Sequence, residues 1–333
     1  MPPSDYLKKH GVIFYFPEKE FHPENIHYAA ACLTEGLQTL SIPIYANVEH
    51  PLFIKREILD CREGIIVFYV TENNYSEALM TGIAQFKARH KIILSMADIH
   101  TAILTPPNVP SLITHENRFL EIKGHRLPWV FGLSQPRIKA ASAEPPFAER
   151  QRVLLRNFRP SHGQSVRAAL DLVLLPHLEK HFQIDHHIAA DHFPRLARSL
   201  GCLAYGGQFV SDLNRNSYFA TDPTNHGPLT FRQDPLIVRW DSWRFWESLA
   251  AGCLTFQLDC EKYGFQLPVM PRAWEDYIPV DLSDPKGTVA RLMELEPRWA
   301  EIATNGKKWA LTHYAPAPTA LRFLTLVNQL YPA

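Results

Sequence analysis

The sequence predicts an α/β fold of two Rossmann-like domains with a helical C-terminal tail. β-rich runs alternate with helical runs in both halves, and the β-rich runs are short and almost unbroken in apolar character, as strands covered by helices on both faces require. A proline-rich break divides a chain of 333 residues with 46% hydrophobic residues, enough to bury two cores.

In the first half the predicted strands are GVIFYF, IPIYANV, GIIVFYV and KIILSMA, and LPWVFGL closes the series. Between them lie a helix over 25–40, a short helix, and a helix from Tyr75 to Arg89. The stretch SQPRIKAASAEPPFAE, from Ser134 to Glu149, removes helix and strand donors and is read as a linker. The second half begins with RVLLRNF, then a helix from Gln164 to Lys180, a strand from Gln183 to Ala189 and a helix from Phe193 to Leu200. SYFAT, a helix from Trp243 to Ala251, and the strand CLTFQLD follow, and helices broken at Pro297, Pro316 and Pro318 make the tail. The expected boundaries are an N-terminal domain over 1–133, a linker over 134–150, a second domain over 151–310 and a C-terminal helix over 311–333, whose packing back on the N-terminal domain stays open.

Thirty-four basic residues balance 34 acidic ones, so no overall field steers the protein onto nucleic acid. Five cysteines, odd in number and without a C-x-x-C pair, argue against a disulfide framework and a structural zinc site. The first residues carry too short an apolar run for a secretion signal, and no stretch is long enough to span a membrane. A cytoplasmic protein is expected, with peripheral membrane association left open.

The most informative segment runs from Ser217 to Asp259 and reads as strand, long polar loop, helix, strand. Asp241 and Ser242 offer side-chain oxygens to cap the helix start, and Gly252 sits where a left-handed C-terminal cap is common. A helix start facing the carboxyl ends of a parallel sheet is an anion site, because its amides and dipole both favour negative charge. Arg244 in the first turn is disfavoured by that dipole unless an anion compensates. Glu247, three residues on, falls on the same face and can accept two hydroxyl hydrogen bonds from a ribose. The plain alternative is that Trp243, Phe245, Trp246, Leu249 and Ala250 pack a core helix, with Arg244 and Glu247 as a solvated ion pair.

The run DSWRFWESLAAGCLTF resembles the donor-site motif of GT-B-fold glycosyltransferases, in the exostosin-like, family 1-like form S-x-R-x-x-E-A-L-x-A-G-C. Ser242, Arg244, Glu247, Leu249, Ala251, Gly252 and Cys253 match in order. The resemblance implies two Rossmann-like domains facing a central cleft, with the acceptor in the first and a nucleotide-sugar in the second. It implies that Glu247 binds the ribose and that Ser242 and Arg244 meet the diphosphate. Many retaining members carry Glu-x7-Glu, and here the first position is Arg239, which joins the donor-binding candidates; a family proline is replaced by Thr255. The turn after RVLLRNF often supplies a basic residue to the phosphates in such enzymes. That points to Arg159 first and Arg167 second, with Ser161 beside them, against surface charge at a helix start. Asn225 and His226 fall where sugar-facing contacts are found, a plain N-H-G turn being the competing explanation.

In the first half, PEKEFHPEN stands where a dinucleotide-binding glycine fingerprint would follow the first strand, which argues against a nicotinamide dehydrogenase. General-base candidates on loops at strand ends are His22, Asp98 and His100, each also readable as a cap or loop residue. DHHIAADH places His187 and Asp191 on one helix face but is set aside as a metal site, so no metal and no cofactor are expected. The expected activity is metal-independent sugar transfer from a nucleotide-sugar to a glycan, lipid-linked or small-molecule acceptor, with no nucleic-acid partner. The alternatives are a non-catalytic nucleotide- or glycan-binding protein and a nucleotide-sugar epimerase.

Overall fold

The computed structural model describes residues 3–16, 28–58, 60–70, 82–83, 85–96, 108–120, 125–142, 145–158, 165–186, 192–209, 219–220, 230–231 and 235–331. They form two compact units: one holds the chain to Glu116 with Glu121–Gln135 and everything from Thr312 on, and the other holds Asn117–Leu120 and Pro136–Leu311.

The first unit is built on seven strands: β1 (Val12–Tyr15), β2 (Ile44–Ala46), β3 (Ile54–Lys55), β4 (Ile65–Val70), β5 (His90–Ser95), β6 (Ser111–Ile113) and β7 (Arg126–Pro128). They lie in the order β3-β2-β1-β4-β5-β6-β7, and every pairing is parallel. This is a doubly wound sheet with its switch point between β1 and β4. All six residues of β4 are buried, as a strand covered on both faces demands. Helices α1 (Pro3–His10) and α2 (Tyr28–Thr39) belong to this unit. So does the last helix of the chain, which packs on α2 so closely that a Cβ at Gly36 would stand 2.0 Å from the Pro316 carbonyl oxygen.

The second unit carries β8 (Gln151–Leu155), β9 (Gln183–Asp185), β10 (Ser199–Leu203), β15 (Leu254–Leu258) and β16 (Ile278–Val280), in the order β16-β15-β10-β8-β9 and again wholly parallel. Its switch point lies between β8 and β10. Two antiparallel pairs stand outside this sheet, β11 (Gln208–Phe209) with β14 (Ile237–Val238) and β12 (Phe219–Ala220) with β13 (Thr230–Phe231). The helices of the second half are α3 (Gln135–Ala141), α4 (Val166–Val173), α5 (Leu175–Leu178), α6 (His192–Arg198), α7 (Trp243–Ala250), α8 (Pro285–Glu294), α9 (Trp299–Tyr314) and α10 (Pro316–Leu330). Phe245, Trp246, Tyr277 and Trp309 form an aromatic cluster beneath α7, with the Trp246 and Trp309 rings stacked at 5.9 Å.

The fold is the α/β architecture with a helical tail that the sequence predicts, and several elements differ in detail. The linker stretch contains α3, because Pro136 falls in the first turn, where its missing N–H costs nothing. The short helix expected after β2 is replaced by β3. β6 and β16 were not foreseen, and neither was β10, which begins where a helix was expected to end. Gly201 explains the last: a Cβ there would lie 2.8 Å from both Leu154 Cδ2 and the Leu254 carbonyl oxygen, so the strand order needs a glycine that weakens the β signal. SYFAT contributes only β12, paired with β13 and not with the parallel sheet. The helix from Tyr75 falls mostly outside the described residues. No helix among the described residues is long and apolar enough to cross a membrane.

Candidate functional site

Helix α7 carries the run that resembles a donor-site motif, and six of its eight residues are buried, Glu247 among them. Ser242 takes the extended backbone of an N-cap, but its side chain makes no cap bond. Ser242 thus does not supply the cap bond expected of it. Asp241 Oδ1 accepts from Trp246 Nε1 at 2.6 Å and so satisfies a buried indole N–H. The Ser242 hydroxyl is buried and has no partner among the described residues. The far end of α7 is closed as expected: Gly252 adopts φ 64°, and Arg150 donates to the carbonyls of Ala251 at 2.7 Å and Gly252 at 2.9 Å.

Glu247 is not half of a solvated ion pair. It is 4% exposed, and both carboxylate oxygens accept bonds within the protein: Oε1 from Arg137 Nη1 at 2.9 Å, Oε2 from the His192 ring Nε2 at 2.9 Å. The core-helix alternative holds for Phe245, Trp246, Leu249 and Ala250, which are buried, whereas Trp243 remains 39% exposed.

The remaining described candidates converge on the carboxyl ends of β8 and β10. Arg244 Nε donates to the carbonyl of Asn157, just past β8, and the Asn157 side-chain amide meets His192 Nδ1. Arg167, in the first turn of α4, donates to the Tyr205 carbonyl past β10 at 3.3 Å and lies over the Phe158 ring. Arg239 takes a left-handed backbone at φ 58° and reaches Gln208 Oε1 at 3.2 Å, and burial lowers its guanidinium pKa from the ordinary value. A Cβ at Gly206 would stand 3.5 Å from Ser242 Cβ, which places the N-terminus of α7 against the turn after β10. Arg156 is engaged by Asp171, with Nε donating to Oδ1 at 2.8 Å. The structure thus gathers Arg167, Arg239, Ser242, Arg244 and Glu247 around one switch point.

His22, Asp98, His100, Arg159, Ser161, Asn225 and His226 lie outside the described residues, as do His187 and Asp191. No group of His, Cys, Asp or Glu suited to a metal ion occurs among the described residues. The sequence reading missed Arg137, Asn157 and His192. His192 ends the histidine-rich run that drew a metal reading, and a buried glutamate without an in-helix partner is the signal that would have prompted a search for them.

Chemically, the arrangement offers a helix start whose N-cap hydroxyl is buried and has no partner among the described residues, the arginines Arg167, Arg239 and Arg244 near the same strand ends, and a held carboxylate one turn and a half along the same helix. Ser242 and Glu247 are separated by about 7 Å of helical rise. Such a set suits an anionic group joined to a vicinal diol.

No protein-family model and no curated protein sequence matches the chain. Solved structures do. An α-glucosyltransferase in complex with UDP and a 13-mer DNA containing an HMU base superposes with a TM-score of 0.53 at 10% identity, over 95% of this chain and 99% of that one. A glycosyltransferase from Rickettsia africae ESF-5 does so with a TM-score of 0.51 at 10% identity, over 96% and 98%. The α-glucosyltransferase bound to UDP-glucose and DNA containing an abasic site gives 0.50 at 10% identity, over 95% and 98%. The fold is that of GT-B glycosyltransferases.

Proposed function

We propose that this chain is a glycosyltransferase that takes its sugar from a nucleoside diphosphate donor held in the second unit. The observation that carries the reading is the placement of Glu247. It is a buried carboxylate, anchored on both oxygens, one and a half turns from a helix start that points at the switch point of a doubly wound sheet. Glu247 accepts the ribose hydroxyls, and the start of α7, with Ser242 and Arg244, receives the diphosphate. Arg167 and Arg239 add positive charge from the flanking loops. Structural likeness to glycosyltransferases whose complexes hold UDP or UDP-glucose supports the same assignment.

The mechanism is electrostatic. As the sugar leaves, charge grows on the departing diphosphate, and preorganised amides and guanidinium groups stabilise it most where it is greatest. Three arginines and a helix dipole perform the task a divalent cation performs in other transferases, so transfer is metal-independent. The acceptor-side base is drawn from His22, Asp98 and His100, and the acceptor is a glycan, a lipid-linked sugar or a small molecule.

Incubation with UDP-, GDP-, ADP-, CDP- and TDP-sugars tests this by release of free nucleoside diphosphate, followed with and without EDTA. Slow release from one nucleotide class, unchanged by EDTA, is the expected outcome. Release that needs a divalent cation overturns the metal-free mechanism, and neither release nor thermal stabilisation with any donor overturns the assignment.

A further inference from the structure

We infer that His192 is a positioning residue for the Glu247 carboxylate, and that the chain Asn157, His192, Glu247 gives the site its preference for a ribose over a 2′-deoxyribose diphosphate. The inference rests on the donor-site reading above and deepens it. The Asn157 side-chain nitrogen can only donate, so His192 Nδ1, which it meets, is the acceptor. A neutral imidazole then carries its proton on Nε2, which faces Glu247 Oε2 at 2.9 Å. Arg137 Nη1 holds the other oxygen at 2.9 Å.

The terminal torsion of a glutamate is soft, and its carboxylate plane turns easily unless both oxygens are held. Here one oxygen is held by His192 at the start of α6 and the other by Arg137 of α3. A fixed carboxylate fits two adjacent hydroxyls and loses a full charge-assisted bond when one is missing. A turning carboxylate re-aims at the single remaining hydroxyl and loses less. His192 therefore acts on the ratio of the two affinities rather than on affinity alone.

The test is calorimetric titration with whichever of UDP, GDP, ADP and CDP binds best, and with its 2′-deoxy counterpart. The wild type is expected to bind the deoxy form about tenfold more weakly or worse. His192→Gln, whose amide nitrogen takes the place of Nε2, keeps that ratio. His192→Asn, which mimics Nδ1 and cannot reach the carboxylate, drops it below about threefold. If His192→Asn does not fold, Asn157→Ala reads the same ratio, because it removes the donor that fixes the ring tautomer. The inference is overturned if both His192 variants keep the wild-type ratio, or if both lose it alike, as a purely packing role would dictate. Binding that disappears in Glu247→Gln while the His192 variants keep their ratio sinks only this inference; a wild type that binds none of the nucleotides sinks the donor-site reading with it.

Discussion

The two units share one construction, a wholly parallel doubly wound sheet, yet they spend their ionisable groups differently. In the second unit, buried or half-buried charges crowd the strand ends: Glu247 with Arg137 and His192, Arg156 with Asp171, and Arg244 on the Asn157 backbone. In the first unit, among the described residues, Asn47 accepts from the Phe16 backbone N–H at 2.8 Å, and Glu116 and Arg126 form a buried ion pair. Burying charge is costly unless it is paired, and the proposed donor site accounts for the charges gathered at the second unit's switch point. The paired carboxylates of the two units make this comparison experimental.

The largest expected effect separates them directly. Glu247→Gln should weaken nucleoside diphosphate binding roughly ten- to a hundredfold, because a charge-assisted pair of acceptors becomes a single neutral one. Glu116→Gln should instead lower stability by about 2–4 kcal/mol, by leaving the Arg126 charge buried, and leave nucleotide affinity within about twofold. Calorimetric titration and urea unfolding of both variants measure the two quantities, and a nucleotide effect at Glu116 equal to that at Glu247 would dissolve the distinction.

A smaller effect sharpens the same contrast through packing. Gly36→Val forces a side chain into the α2–α10 contact of the first unit, where the Pro316 carbonyl leaves no room, and should cost about 1–3 kcal/mol without changing nucleotide affinity.

The smallest concerns pH. Burial, aided by the neighbouring Arg89 charge, holds the His90 ring in the first unit below its ordinary 6.5. The unfolded chain accepts a proton that the folded ring resists, so the stability present above pH 6.5 declines as pH falls from there toward the folded value. Melting curves from about pH 7.5 to about pH 5 should show a shallower decline for His90→Phe than for the wild type.

What was legible in the sequence follows the same division. Glu247, Arg244 and Ser242 could be found because helix start, spacing and stop all lie within one short segment. The residues that hold Glu247 could not, since Arg137 stands 110 positions away and His192 55, in segments whose local pattern signals a linker and a loop. β10 was hidden because the close packing of neighbouring strands asks for Gly201, the residue that propensity counts against a strand. At the start of α7, Ser242 takes the expected N-cap position without making a side-chain cap bond, and Asp241 beside it accepts from the buried Trp246 indole five residues on.

The central claim is that the nucleotide sits at the β8–β10 switch point of the second unit. Hydrogen exchange followed by mass spectrometry, with and without saturating nucleoside diphosphate, tests it most directly. Slowed exchange in the peptides that cover Arg156–Phe158, His192, Tyr205–Gln208 and Asp241–Glu247 is the result expected. Slowed exchange confined to the seven-stranded unit, with those peptides unchanged, would contradict the account.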